Sequence, residues 1–209
     1  TYRVVDFHTI KNNVQSKYTK EQLHEVGVIE GELKHLLPDA LIYRNMDQIV
    51  MIQQVDSNQT ELEYQKEMEE KYKIPVMVCD SVEEAVKGAE IICTVTPSKE
   101  PYLKAEWITP GVHINAVGAF TPNTREIESS LMAKAKLYAD QVEAMKKECG
   151  EYLIPKNEGL FGEEHITGSI GGILAGQVPG RENDTEITLF DALGLAVEDV
   201  ACGRFLCRE

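Results

Sequence analysis

Histidines and cysteines are common in catalytic and metal sites, but their spacing in this sequence supports neither role. The histidines are His8, His24, His35, His113 and His165, and the cysteines are Cys79, Cys93, Cys149, Cys202 and Cys207. They form no HExxH, CxxC or other arrangement suited to zinc, so we predict no metal site. The sequence also contains no GxSxG and no GxxxxGK[ST], which leaves hydrolase and P-loop chemistry without support.

Residues at the ends of short apolar runs are better candidates for binding a ligand. Asp56 follows one such run, Gly118 ends another, and Asp191 follows the last one near the C-terminus. In a Rossmann fold a carboxylate in such a position binds ligand hydroxyl groups, and a glycine, which lacks Cβ, lets a ligand approach the backbone. Asp56 and Gly118 also fit structural roles, because Asp56 lies beside Ser57-Asn58 in a turn and Gly118 can simply end a strand.

Apolar runs typical of buried strands alternate with helical segments from about residue 47 onward, and this alternation must position the candidates. The predicted strands cover 49–52, 74–78, 91–95, 112–117, 136–139 and 186–190. The predicted helices cover 58–72, a short segment capped by Asp80 or Ser81 and ended by Gly88, 124–134, 141–149 and 191–206. The pattern is typical of an α/β fold with a Rossmann-like, doubly wound, mainly parallel sheet. Ligands bind beyond the carboxyl ends of such strands, so we expect the site in the loops after Val55, Val95, Val117 and Phe190.

Two parts of the chain are less regular. Residues 1–46 form an atypical N-terminal segment, in which 2–7 could be a strand and 19–26 and 31–37 could be helices, and residues 47–209 form the predicted Rossmann-type domain. Residues 155–183 are rich in glycine and long for a plain loop, so we expect a functional segment or one with short helices. His113 lies within an apolar strand, where we predict a packing role. Lys99 and Arg181 could bind an anion, although solvent-exposed pairing is the simpler interpretation.

Composition limits the partners of the chain. Its 209 residues carry a formal net charge of −14, which disfavours nucleic acid and anionic membrane surfaces. No apolar run is long enough to span a bilayer, and the first residues show no signal-peptide pattern. The odd number of scattered cysteines suits a reducing compartment, so we expect a cytoplasmic protein.

From about residue 47 to the C-terminus, the chain resembles the ornithine cyclodeaminase/μ-crystallin family. The resemblance is carried by DSVEEAVKGAEIICTVTPSKEP, PGVHINAVGAFTPNTREIE, ECGEYLIPKNEGL and AGQVPGRENDTEITLFDALGLAVEDVA, in the family's order and spacing. It implies a Rossmann-type domain that binds NAD or NADP. It also implies hydride transfer between the nicotinamide and the α-carbon of a small amino or imino acid, as in alanine dehydrogenases and ketimine reductases.

The resemblance also implies which residues bind the cofactor. They are Asp56, Thr94, Thr96, Val117, Gly118, Ala119, Asp191 and Ala192. An acid at Asp56 would bind the adenosine ribose and favour NAD over NADP. Threonines in a strand are often only β-formers, so Thr94 and Thr96 also fit a structural role. Ala192 stands where the family often has serine, so one hydroxyl contact with the cofactor is lost. The sequence assigns no catalytic residue.

The chain departs from the family pattern in three places. Residues 1–46 are too short for the family's N-terminal substrate domain, which we expect to be missing. The GxGxQ-type phosphate loop is also expected to be absent, because only Gly27 and Gly31 are available and their spacing is wrong. Ornithine cyclodeaminases place a catalytic aspartate where this chain has Ala119-Phe120, so cyclodeamination is disfavoured.

The sequence therefore supports two alternative functions. The first is an NAD(P)-dependent oxidoreductase acting on a small amino or imino acid, with homodimer formation possible. The alternative is a truncated, non-catalytic relative that retains dinucleotide binding or serves in protein interaction.

Overall fold

The computed structural model describes residues 2–8, 48–54, 63, 65–66, 69–70, 76–197, 200 and 203–204. The strands are β1 (Tyr2–His8), β2 (Gln48–Gln54), β3 (Met77–Cys79), β4 (Ile91–Val95), β5 (His113–Ala116), β6 (Lys136–Ala139), β7 (Ile166–Ser169) and β8 (Thr188–Asp191). The helices that lie wholly within the described residues are α1 (Val82–Val86), α2 (Ser129–Lys134), α3 (Val142–Glu148), α4 (Gly150–Asn157) and α5 (Ile170–Leu174), and short 3-10 turns cover Ala105–Trp107 and Glu163–His165.

The strands form one mainly parallel sheet in the order β3-β1-β2-β4-β5-β8-β6-β7. β1 runs antiparallel to its neighbours β2 and β3, whereas β2, β4, β5, β8, β6 and β7 are parallel from each strand to the next. The predicted Rossmann-like, mainly parallel fold is thereby confirmed. β3, which follows β2 along the chain, lies on one side of β2 in the sheet, and β4, which follows β3, lies on the other side of β2. The strand order therefore reverses between β2 and β4. In sheets of this kind, ligands bind outside the carboxyl ends of the strands at such a point.

The core lies on one face of the sheet. Ile92, Ile114 and Leu189 are paired in register on β4, β5 and β8, and all three are fully buried. Leu137 on β6 continues this row beside Leu189. Buried side chains from α2, α3 and α4, namely Leu131, Met132, Met145 and Tyr152, belong to the same cluster. Burial of this apolar area is the main stabilising contribution to the fold.

Local sequence signals determine the bounds of α1. Ser81 caps the helix, because its hydroxyl oxygen accepts a hydrogen bond from the Glu84 backbone N–H at 3.1 Å. Glu83 and Glu84 in the first turn favour the positive end of the helix dipole. Gly88 follows the C-cap with a φ of 77°, a backbone conformation that glycine adopts without strain.

Two predicted helices begin later than expected. The prediction of a helix from 124 was wrong at its start, since α2 begins at Ser129 and Ile127 instead forms a β-bridge with Leu103. The helix predicted from Asp191 was also wrong at its start, because Asp191 is the last residue of β8 and, of the residues described after it, 196–197, 200 and 203–204 are helical.

The remaining predicted elements are present where the structure describes the chain, although the strands predicted at 74–78, 112–117 and 186–190 are observed at Met77–Cys79, His113–Ala116 and Thr188–Asp191. The predicted N-terminal strand is β1. Residues 63, 65–66 and 69–70 of the predicted 58–72 helix are helical. The glycine-rich segment contains β7 and the short helix α5. The predicted helices 19–26 and 31–37 lie outside the described residues. In the part of the chain that the structure describes, every helix is too short or too polar to cross a membrane.

Candidate functional site

The predicted site residues lie where β4, β5 and β8 end, at what we call the carboxyl edge: residues 94–98, 116–119 and 191–192. Thr94, Ala116 and Asp191 are paired in register on these three strands. The Val117 backbone N–H donates to the Thr94 carbonyl at 2.9 Å, and the Ala192 N–H donates to the Ala116 carbonyl at 2.9 Å. The structure therefore brings all the predicted cofactor-binding residues together except Asp56, which lies outside the described residues.

The threonine side chains of this edge are buried. Thr94 is fully buried, and its Oγ1 has no hydrogen-bond partner among the described residues. The Thr96 hydroxyl donates to the Tyr102 hydroxyl oxygen at 3.3 Å and accepts from the Ser98 backbone N–H at 3.4 Å. Any contact of Thr96 with a ligand would therefore compete with these internal hydrogen bonds.

Apolar side chains form the exposed surface of the carboxyl edge. Val95 and Val117 are 41% and 44% exposed, and Phe120 in the following loop is 59% exposed. Val117 is one of the predicted cofactor-binding residues, whereas Val95 and Phe120 were not predicted. Val95 could have been found from the strand pattern, because successive side chains of a strand point to opposite faces of the sheet, so the residue after a buried Thr94 points away from the core.

The backbone turns after β4 and β5 are joined by Glu126. This residue is fully buried, and its Oε1 accepts hydrogen bonds from the Thr96 backbone N–H at 2.5 Å and the Tyr102 hydroxyl at 2.7 Å. Its Oε2 accepts from the Gly118 backbone N–H at 3.1 Å. Burial, with the charge of Glu126 next in importance, raises the pKa of Tyr102 above its ordinary value, so Tyr102 stays a hydrogen-bond donor. Glu126 was not among the predicted site residues, because its sequence neighbourhood favours a helix over 124–134.

Gly118 fits closely against the turn after β4. A Cβ placed at this position would overlap the Thr96 backbone nitrogen and oxygen and would lie 2.7 Å from Glu126 Oε1. The residue must therefore be glycine for β4 and β5 to end side by side in this way. Ala119, the next residue, is buried.

Asp191 is a buried carboxyl group beneath the edge. Its Oδ2 accepts a hydrogen bond from Cys149 Sγ at 3.2 Å, and its Oδ1 has no partner among the described residues. Burial raises the pKa of Asp191 to about 7. Burial likewise raises the pKa of Glu151 and of the Cys149 thiol well above their ordinary values. Asp191 can therefore hold a proton near neutral pH, but its side chain does not reach the surface.

His113 and Arg181 lie at the opposite end of the sheet. His113 Nδ1 is 2.8 Å from Thr188 Oγ1, and burial lowers the pKa of His113, which agrees with the predicted packing role. Arg181 was expected to pair in solvent, but it is half-buried and donates to the Gly111 and Val112 carbonyls at 2.6 and 3.2 Å. Lys99 is exposed. Among the described residues, no group of three or more histidine, cysteine or acidic side chains is arranged to hold a metal ion.

The sheet order and the carboxyl edge define a Rossmann-like α/β protein with a ligand site at the ends of its parallel strands. The family model "Ornithine cyclodeaminase/mu-crystallin family" matches residues 37–208. The chain therefore belongs to the ornithine cyclodeaminase/mu-crystallin family, which confirms the resemblance found in its sequence.

Individual relatives agree with this assignment. The chain is 44% identical to ketimine reductase mu-crystallin of Mus musculus over 131 residues, which is 63% of this chain and 39% of the relative. Its structure is similar to Delta(1)-pyrroline-2-carboxylate reductase of Thermococcus litoralis in complex with NADH and L-proline, with a TM-score of 0.67, 35% identity, and coverage of 74% of this chain and 47% of the other. It is also similar to an archaeal alanine dehydrogenase dimer with bound NAD, with a TM-score of 0.60, 38% identity, and coverage of 66% and 42%. The chain thus spans less than half the length of each of these relatives.

Proposed function

We propose that this chain carries the dinucleotide-binding part of an NAD(P)-dependent oxidoreductase that acts on a small amino or imino acid. The observation that carries the proposal is the pair of turns at Thr96 and Gly118, held side by side at the carboxyl ends of β4 and β5. These turns lie next to the point where the strand order reverses, which is where open α/β sheets bind ligands. Family membership supports the same activity, and the Thermococcus litoralis relative was solved with NADH and L-proline.

The residues of the carboxyl edge fit a nicotinamide dinucleotide. Gly118 leaves no Cβ between the two turns, and the half-exposed Val95 and Val117 offer an apolar surface against which a flat ring can pack. When bound, the nicotinamide would supply or accept the hydride. The chain's own residues would bind and orient the nicotinamide and keep water from the buried side of the carboxyl edge.

We propose that Thr94, Thr96, Val117, Gly118, Ala119, Asp191 and Ala192 form this cofactor site, together with Asp56, which would favour NAD over NADP. Thr94, Ala119 and Asp191 are buried, so they act by holding the ends of the strands in place rather than by exposed side-chain contact. Ala119-Phe120 offers no group that can transfer a proton, which favours imine reduction or amine oxidation over cyclodeamination.

Three broader features belong to the same proposal. Residues 47–209 form the dinucleotide-binding domain, and residues 1–46 form an atypical N-terminal segment whose strand β1 pairs with β2 and β3 of the same sheet. The active form is a homodimer, as the archaeal alanine dehydrogenase is a dimer. The protein works in the cytoplasm, which the free thiols of Cys93 and Cys149, among the described residues, support.

Titration of the purified chain with NADH and with NADPH, followed by nicotinamide fluorescence, tests the proposal. We expect saturable binding with NADH preferred, and oxidation of bound NADH when cyclic or linear imino acids are added. The absence of binding to either dinucleotide would refute the proposal. Binding without turnover of any imino or amino acid would instead favour the non-catalytic alternative.

A further inference from the structure

We propose that Glu126 is a positioning residue, whose carboxylate holds the turns after β4 and β5 in the arrangement that binds the dinucleotide. This inference rests on the proposed function. Glu126 lies on neither turn and does not reach the surface, so it acts through Thr96 and Gly118 rather than by touching the cofactor.

Both carboxylate oxygens of Glu126 are used. Oε1 accepts from the Thr96 N–H and the Tyr102 hydroxyl, and Oε2 accepts from the Gly118 N–H. These donors come from three separate stretches of the chain, two of which end the strands at the candidate site. Hydrogen bonds to a charged acceptor are stronger than those between neutral groups, so this connection fixes the turns more firmly than a water or hydroxyl could.

The backbone of Glu126 is anchored independently of its carboxylate. Its carbonyl accepts from the Tyr102 and Leu103 backbone N–H groups at 2.9 and 3.0 Å. Its own N–H donates to Glu151 Oε1 at 2.5 Å. Removing the charge of Glu126 should therefore loosen the two turns while the segment around residue 126 stays in place.

A glutamine cannot replace the carboxylate at this position. Its amide has one acceptor oxygen and one NH2 donor, whereas Thr96 and Gly118 present an N–H to opposite oxygens. In either orientation of the amide, one turn faces a donor and loses its hydrogen bond. Such a buried, unsatisfied N–H is costly enough to displace the turn that carries it.

Glu151 offers a matched control. It is equally buried, and its Oε1 accepts from both the Glu126 and the Ile127 backbone N–H groups, while its Oε2 also accepts from the Ile127 N–H at 3.3 Å. A glutamine whose amide oxygen takes the place of Oε1 keeps an acceptor for both N–H groups, and burial already favours the uncharged form of Glu151 because it raises the pKa of this group. E151Q therefore makes the same chemical change at the same depth without releasing either turn.

The test compares E126Q, E151Q and the unchanged chain. NADH affinity is measured by fluorescence titration, amide exchange at Thr96 and Gly118 by NMR, and the free energy of unfolding by urea denaturation. E126Q is expected to raise the NADH dissociation constant about tenfold and to speed exchange at whichever of the two amides loses its acceptor. E151Q is expected to leave the NADH affinity and the exchange of both amides unchanged.

The outcomes separate this inference from the function on which it rests. If the unchanged chain does not bind NADH, the proposed function fails. If it binds NADH and E126Q binds equally well, the positioning role of Glu126 is overturned. Should E126Q not fold, Tyr102→Phe removes the hydroxyl donor on Oε1, together with the acceptor of the Thr96 hydroxyl at 3.3 Å, and leaves the carboxylate of Glu126 in place. Its NADH dissociation constant is expected to rise several-fold, and an unchanged value would likewise overturn the inference.

Discussion

Gly118→Ala is the substitution whose effect follows most directly from the structure. The added Cβ would overlap the Thr96 backbone nitrogen and oxygen and would lie 2.7 Å from Glu126 Oε1. Two of these three atoms belong to the backbone of the turn after β4, so relief requires the two turns to separate. Overpacking of this kind costs about 1–3 kcal/mol. We expect the free energy of unfolding in urea to fall by about 2 kcal/mol.

The same displacement should weaken dinucleotide binding, because the turns of the site move apart. If the substitution destabilises the NADH-bound state by about 2 kcal/mol relative to the free chain, the NADH dissociation constant rises about thirtyfold. Gly180→Ala is the control, since a Cβ there would meet only Ile173 Cγ2 at 3.9 Å, an ordinary contact. If Gly118→Ala matched Gly180→Ala in both NADH affinity and stability, the crowding argument would be refuted.

The remaining predictions concern a helix cap, a buried acid and the exposed apolar surface. Ser81→Ala should cost about 1 kcal/mol of stability in urea unfolding, because the Glu84 N–H loses its acceptor. The pKa of Asp191 is raised by burial from 3.8 to about 7, so the folded state holds the proton more tightly than the unfolded state does. Stability should therefore decline by up to about 4 kcal/mol from Asp191 as the pH rises from about 4 to about 8, and Asp191→Asn should remove this share while the raised pKa of Glu151 still contributes a decline of the same sign; an unchanged pH dependence of the free energy of unfolding in Asp191→Asn would contradict the assignment. Val95→Asp should weaken NADH binding by charge repulsion, whereas the similarly exposed Met77→Asp should not; equal effects in titration would exclude Val95 from the site.

Much of the sheet was predictable because its buried strands consist of β-branched and apolar runs. Ile91–Val95 and the run that contains β5 could be recognised from composition alone. The cap at Ser81 and the stop at Gly88 follow from local backbone chemistry, which the sequence displays directly.

The errors arose where contacts distant in sequence decide the local structure. Asp191 suits a helix start, yet it extends β8 because its carboxyl group is buried against Cys149, 42 residues earlier in the chain. The segment 124–128 suits a helix, but its backbone N–H groups at 126 and 127 bind Glu151, and Ile127 pairs with Leu103. Neither partner can be inferred from the neighbouring residues.

The candidate site was predictable in position but not in the direction of its side chains. The ends of β4, β5 and β8 were expected to meet, and their register confirms that they do. The family pattern drew attention to Thr94 and Thr96, whose side chains are buried, while the exposed surface consists of Val95 and Val117. Glu126 carries no local signal, because its role exists only once Thr96 and Gly118 have been brought together.

The central claim is that a nicotinamide dinucleotide binds at the carboxyl edge of this sheet. Backbone amide exchange, measured residue by residue with and without saturating NADH, tests it most directly. The account predicts that NADH slows exchange in the two turns, at residues 95–98 and 117–119, and leaves the opposite end of the sheet around Gly111 and Arg181 unchanged. Unaltered exchange in both turns, or protection confined to residues away from them, would contradict the claim.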